Sequence, residues 1–139
     1  MSGDARAAVR ELANVLRALH RQALTLTQQG FEKVNGPVRG PGELLQLAVH
    51  DPLFAWLRPL SQEIVALDEL AEADELGAHV LDAARDSVAE LLDASSEFRA
   101  SYLVYLQEDP DLVLAHAAVR RLLRGRPGDA GAAGAAPQS

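Results

Sequence analysis

Four histidines are the side chains of this sequence best suited to chemistry near neutral pH, because imidazole gains or loses its charge there and binds metals. They are His20, His50, His79 and His116, in a chain of 139 residues. None belongs to an HExxH motif, and no glutamate stands three residues before any of them, so the Glu-x-x-His pairs of di-iron bundles are absent. The chain has no cysteine, which excludes disulfides, thiolate metal sites and a thiol nucleophile. The sequence identifies no cofactor.

His20 and His116 each border the apolar stripe of a predicted helix. If both side chains point into one interhelical cavity, they could bind a metal ion or a haem, or shuttle a proton. The alternative is a pair of boundary histidines, each hydrogen-bonded to a backbone carbonyl or a carboxylate, because histidine is often partly buried for structural reasons. The sequence favours this structural alternative and leaves the ligand site as a hypothesis.

His79 shares a predicted helix face with Asp82 and Asp86, three and seven residues further along. Such a face could hold a divalent cation weakly, although hard cations prefer six or more oxygen ligands. A solvated acidic surface is the favoured interpretation.

Two groups of arginines form candidate interaction patches, one on a single face of the first predicted helix and one just before the C-terminal tail. They are Arg6, Arg10, Arg17 and Arg21, and Arg120, Arg121 and Arg124. Residues 1–58 carry a net charge of +2, residues 59–119 carry −12 and residues 120–139 carry +3. The favoured interpretation is pairing with the acidic middle segment, within the fold or across a homodimer. The alternative is an acidic partner or an RNA backbone, but the net charge of −7 disfavours general nucleic-acid binding.

The elements that position these residues are all predicted to be helices. Apolar residues recur at helical spacing, and no stretch alternates as a strand does. The predicted helices cover 4–29 with Gly30 as the stop, 43–50, 52–70, 74–93, a fifth that Ser95 or Ser96 caps, and 110–124. We therefore expect an all-α fold: a compact bundle of about four long helices and one or two short ones. Residues 1–124 are expected to form a single domain, and the Gly/Ala/Pro-rich segment 125–139 a disordered tail.

Two apolar stripes form the expected core, one on each of the two longest predicted helices. The first is Ala5, Val9, Leu12, Leu16, Leu19, Ala23 and Leu26, and the second is Leu53, Leu57, Leu60, Ile64, Leu67 and Ala71. Further apolar residues flank the second stripe, so helix 52–70 is expected at the centre, kinked or split at Pro59. Among those flanking residues, Phe54 and Trp56 either complete the core, which is the favoured interpretation, or anchor a partner.

For function, the sequence favours a non-catalytic interaction or regulatory module, with a homodimer as one form it could take. The serines lack a nucleophile-elbow context and no catalytic triad order stands out. A small-ligand, metal or haem site at interhelical histidines is the alternative. No apolar run is long enough to span a membrane, and a cytoplasmic location is expected. The preference for Arg over Lys together with abundant Ala suggests a bacterial origin.

Overall fold

The computed structural model describes residues 2–124, and within this range the fold is all-α, as predicted. The predicted disordered tail at 125–139 lies outside the described residues. Among residues 2–124, no helix combines the length and the hydropathy that a membrane crossing requires. The helices are α1 Ser2–Asn35, α2 Pro41–His50, a 3-10 helix Pro52–Leu57, α3 Arg58–Ala71, α4 Ala78–Asp93, α5 Glu97–Glu108 and α6 Pro110–Arg124.

Helix α1 lies at the centre of the bundle. It contacts the 3-10 helix, α3, α4, α5 and α6, and its predicted stripe is buried from Ala5 to Ala23, with Leu26 partly buried. The prediction that residues 52–70 are central is wrong, since Leu53 and Val65 on that segment are 43% and 54% exposed. The longest helix, α1, is instead the one that most of the other helices contact.

Residues 52–70 form two elements rather than one helix, so the segment is split rather than kinked. Asp51 accepts a hydrogen bond from the backbone N–H of Leu53 at 2.8 Å and starts the 3-10 helix. A 3-10 helix has three residues per turn, so Phe54 and Leu57 face the core together while Leu53 turns outward. The expected burial of Leu53 is therefore wrong. Pro59 lies in the first turn of α3, where its missing N–H costs nothing.

Helix α1 continues past Gly30, so the predicted stop there is wrong. Phe31 packs against Phe54 with ring centroids 5.9 Å apart, which gives the extra turns an apolar contact. The helix ends at Asn35, and the N–H of Gly36 donates to the carbonyl of Glu32 at 2.9 Å. Gly36 has φ 84°, a left-handed conformation that favours glycine at a helix C-terminus.

The predicted helix starts at Ser96 and Asp109 are confirmed, and the predicted start of α4 is shifted. The Ser96 hydroxyl accepts from the N–H of Arg99 at 3.1 Å, and an Asp109 carboxylate oxygen accepts from the N–H of Leu112 at 2.9 Å. Helix α4 begins at Ala78 rather than at residue 74, and Leu76 is buried in the turn before it.

Candidate functional site

A pocket of about 540 Å³ opens between α1, α2, the 3-10 helix and α3. Its walls are largely apolar and come from all four elements: Leu24, Pro41, Leu44, Leu45, Ala48, Val49, Phe54 and Leu57. Three polar side chains, His20, Arg58 and Ser61, complete the lining. An apolar cleft of this size with a few convergent polar groups is the usual form of a small-molecule site.

The polar side of the pocket holds a hydrogen-bonded pair that joins two helices. Nε2 of His20 on α1 lies 2.9 Å from Oγ of Ser61 on α3. Burial lowers the pKa of His20 from its ordinary value of 6.5, so the imidazole is neutral at pH 7. A neutral ring has one N–H donor and one acceptor nitrogen. Depending on the tautomer, Ser61 accepts from His20 and can donate to a ligand, or donates to His20 and can accept from a ligand.

Arg58 lies one helical turn before Ser61 and brings a permanent positive charge to the same pocket. Its Nη2 donates to the carbonyl oxygen of Val49 at 2.7 Å, at the C-terminal end of α2, where a cation also complements the helix dipole. A guanidinium carries five N–H donors, so this contact leaves others for a ligand. Although the chain carries a net charge of −7, no aspartate or glutamate of residues 2–124 lines this pocket.

Helix α2 covers the pocket and is loosely held. No residue of α2 is buried, and its principal contacts are with the 3-10 helix. Leu45 and Val49 lie one turn apart on the pocket side and are still 61% and 50% exposed. The connection from α1 contains Gly36 at φ 84° and Gly40 at φ 157°, backbone conformations that other residues rarely adopt. Few buried contacts and these turns make α2 the element best able to move as a ligand enters.

His116 lies elsewhere in the bundle and does not line the pocket that holds His20. Its Nδ1 is 2.6 Å from the hydroxyl oxygen of Tyr102, whose pKa burial raises far above its usual value. Burial, assisted by the positive charge of Arg120, lowers the pKa of His116. A protonated phenol beside a neutral imidazole fits a hydrogen bond donated by Tyr102. The structure thus gives each of the two histidines its own hydroxyl partner and does not bring them together in this pocket.

The acidic face of α4 is open to solvent. His79 and Asp86 are exposed, and Asp82 lies 3.7 Å from Arg85 in an ion pair one turn along the helix. Across the described part of the chain, no group of three or more His, Asp or Glu side chains is arranged to hold a metal ion.

Four of the arginines in the two patches contact polar groups of other helices or helix ends within one chain. The side chain of Arg6 donates to the carbonyl of Ala71, Arg10 lies 3.4 Å from Glu72, and Arg17 lies 2.8 Å from Asp68. The carboxylate of Asp93 on α4 pairs with Arg120 on α6, which lowers the pKa of Asp93.

The other three arginines of the patches project into solvent, and none has an ion pair within residues 2–124: Arg21, Arg121 and Arg124. They are the members of the patches that remain accessible to a partner.

Both candidate aromatic anchors pack with the core, and Trp56 is partly buried. Phe54 is fully buried, and Trp56 stacks on Tyr105 with ring centroids 5.3 Å apart and an interplanar angle of 12°. The indole N–H of Trp56 donates to Oγ1 of Thr27 at 3.2 Å, and that buried hydroxyl donates to the carbonyl of Ala23 at 2.8 Å. The polar atom of the tryptophan is thus satisfied inside the protein.

Sequence reasoning missed Arg58, Ser61 and the contribution of α2 to the pocket. One signal was present in the sequence, because Arg58 and Ser61 are three residues apart and share a helix face with the buried Leu57. The contact of Ser61 with His20 joins residues 41 positions apart and depends on how the helices pack. Comparisons of the chain with protein-family models, with curated proteins and with solved structures found no match.

Proposed function

We propose that this protein is a non-catalytic binding module that takes a small, mainly apolar ligand into the pocket between α1, α2 and α3. The observation that carries the proposal is a cleft of about 540 Å³ whose polar groups are gathered around one hydrogen-bonded pair. Apolar walls supply affinity by removing ligand surface from water, and convergent polar groups fix its orientation. As the sequence analysis expects, we assign the module to the cytoplasm.

The proposed role of His20 and Ser61 is to bind the polar atom of the ligand. The two side chains already hold each other at 2.9 Å across α1 and α3, so little rotational freedom is lost when a ligand arrives. A ligand without any polar atom would leave this pair facing an apolar surface, which is unfavourable.

The proposed role of α2 is to close over the bound ligand and to report that it is bound. Ligand contacts with Leu44 and Ala48 would add apolar burial to a helix that has no buried residue in the structure. An α2 ordered by the ligand would present one fixed surface, whereas a loosely held α2 without ligand would not. The module would act in regulation through this ligand-dependent difference in the surface of α2.

Self-association is a second candidate function, favoured by the exposure of Leu45 and Val49 at the mouth of the pocket. A second copy seated there would cover both side chains. Native mass spectrometry would then find a dimer, and Leu45→Glu would convert it to a monomer. A monomer at micromolar concentration would contradict this candidate.

Titration with N-phenyl-1-naphthylamine, an uncharged apolar fluorophore, tests the ligand-binding proposal. We expect saturable binding of one probe per chain, and we expect Ala48→Phe to weaken it by placing a ring in space that the probe would occupy. Ala83→Phe, at an exposed position of α4, is the matched control and should bind like the unaltered protein. The proposal fails if the unaltered protein shows no saturable binding, or if Ala48→Phe binds the probe equally well while remaining folded.

A further inference from the structure

We infer that the ligand of this pocket is an apolar molecule with a single carboxylate, of the kind represented by a medium-chain fatty acid. This inference rests on the proposed function and names the chemical class of its ligand. The carboxylate would lie between Arg58 and Ser61, and the hydrocarbon chain would lie under α2 against Leu24, Leu44 and Phe54.

The first argument for an anionic group is the charge of the pocket lining. Arg58 is permanently charged, His20 is neutral at pH 7, and the described residues that line the pocket include no carboxylate. The pocket is therefore locally positive in a chain whose net charge is −7. Such a site favours an anion over an uncharged or cationic group of the same size.

The second argument is the spacing of the donors on α3. Arg58 and Ser61 are one helical turn apart, so both can reach a group lying along this side of the helix. The guanidinium donates one N–H to the carbonyl of Val49 and retains others in a planar fork that matches the two oxygens of a carboxylate. When Ser61 accepts from His20 Nε2–H, its own O–H is free to donate to the same carboxylate.

The third argument is the distribution of polarity. The polar residues of the lining come from α1 and the first turns of α3, whereas the α2 wall is formed by apolar side chains such as Leu44, Leu45 and Ala48. A ligand with one charged end and an apolar body satisfies both surfaces at once. A ligand with two charged ends would place the second charge against this apolar wall, at a high desolvation cost.

Competition experiments with a set of ten-carbon amphiphiles test the inference. Decanoate, decanol and decyltrimethylammonium are titrated, below their micellar concentrations, against the protein loaded with N-phenyl-1-naphthylamine. We expect decanoate to bind at least about ten-fold more tightly than either of the others, equivalent to about 1.4 kcal/mol. Shortening the acid to octanoate and hexanoate should weaken binding by about four-fold for each methylene removed.

Arg58→Gln removes the positive charge and the guanidinium fork that the inference assigns to the carboxylate, and decanol and the neutral probe report any separate effect of losing the contact with Val49. We expect this variant to lose the preference for decanoate while its affinity for decanol and for the probe stays the same. Arg21→Gln removes an exposed charge that is outside the pocket and should leave every affinity unchanged.

The other outcomes of these experiments contradict either the inference or the proposed function. If decanol or the ammonium compound binds as tightly as decanoate, or if no decyl compound displaces a bound probe, the inference is wrong and the proposed function stands. If Arg58→Gln weakens all ligands equally, Arg58 only supports α2 and the inference is wrong. If the neutral probe itself does not bind, the proposed function fails. Probe affinity that falls as the protein concentration rises would mean that a second copy occupies the pocket, and would overturn the inference.

Discussion

Nε2 of His20 lies 2.9 Å from Oγ of Ser61, and this contact joins the central helix to α3 beside an apolar pocket. The two side chains satisfy each other in the structure, which explains why a half-buried imidazole is tolerated there. The same pair faces the space that we assign to a ligand. Its state of protonation therefore affects both the stability of the bundle and the chemistry of the pocket.

The first prediction concerns pH. Burial lowers the pKa of His20, and burial and Arg120 lower the pKa of His116, from the ordinary value of 6.5. The unfolded chain therefore binds more protons than the folded chain as the pH falls through this region, and stability rises with pH. The stabilising contribution is present above pH 6.5 and is lost as the pH falls through the folded-state pKa values.

Urea unfolding at about pH 7.5, 6.5 and 5.5 measures this dependence on protonation. We expect the free energy of unfolding to decrease towards pH 5.5. The double variant His20→Gln with His116→Gln should show a flatter profile, since neither replacement titrates. An unchanged slope in the double variant would show that these histidines do not account for the effect.

The second prediction concerns Tyr102, which is buried and hydrogen-bonded to His116 at 2.6 Å. Tyr102→Phe should lower the free energy of unfolding by about 1 to 2 kcal/mol, because the imidazole loses its buried partner. Tyr105→Phe is the matched control, since the Tyr105 hydroxyl makes no hydrogen bond within the described residues, and it should change stability by less than about 0.5 kcal/mol. Equal effects of the two substitutions, measured by urea unfolding, would contradict the assigned hydrogen bond.

The third prediction tests the central position of α1. Leu16 is 0% exposed, so Leu16→Ala should lower the free energy of unfolding by about 3 to 5 kcal/mol through lost burial and an unfilled cavity. Leu45→Ala, at a position of α2 that is 61% exposed, should change stability by less than about 0.5 kcal/mol. A small effect at Leu16, in thermal or urea unfolding, would mean that α1 is not the element around which the core forms.

The fourth prediction concerns the ion pair of Arg17 with Asp68, whose closest atoms are 2.8 Å apart and whose side chains are both partly in solvent. Arg17→Asp should destabilise the fold by about 1 kcal/mol or less at low salt, because exposed pairs contribute little. The exchanged pair, Arg17→Asp with Asp68→Arg, should recover most of the loss, and added salt should reduce the difference. If the exchange recovers nothing, the two side chains do not interact in solution.

The sequence predicted the parts of the fold that follow from local periodicity and local capping. The stripe from Ala5 to Ala23 is buried because a long amphipathic helix with regular spacing has one way to hide its apolar face. Likewise, Ser96 and Asp109 cap helices through contacts only three residues away. These features need no knowledge of the other helices.

The parts that failed depend on a change of helix type or on tertiary packing. An α-helical period predicts that Leu53 lies in the core, but the 3-10 geometry that begins at Asp51 turns it outward. Gly30 does not end α1, because Phe31 finds an apolar partner in Phe54 from a distant part of the chain. The pocket itself could not be predicted from local sequence patterns, because its lining is assembled from four elements.

A two-dimensional ¹H–¹⁵N NMR spectrum of the labelled protein, recorded with and without a saturating uncharged probe, tests the central claim most directly. We predict that the largest shifts fall on the backbone amides of α2 and on those of His20, Leu24 and Ser61. The amide signals of α4 and of the outer face of α6 should keep their chemical shifts. Shifts concentrated on α4 or α6, or a spectrum that does not change at saturating probe, would contradict the assignment of this pocket as the binding site.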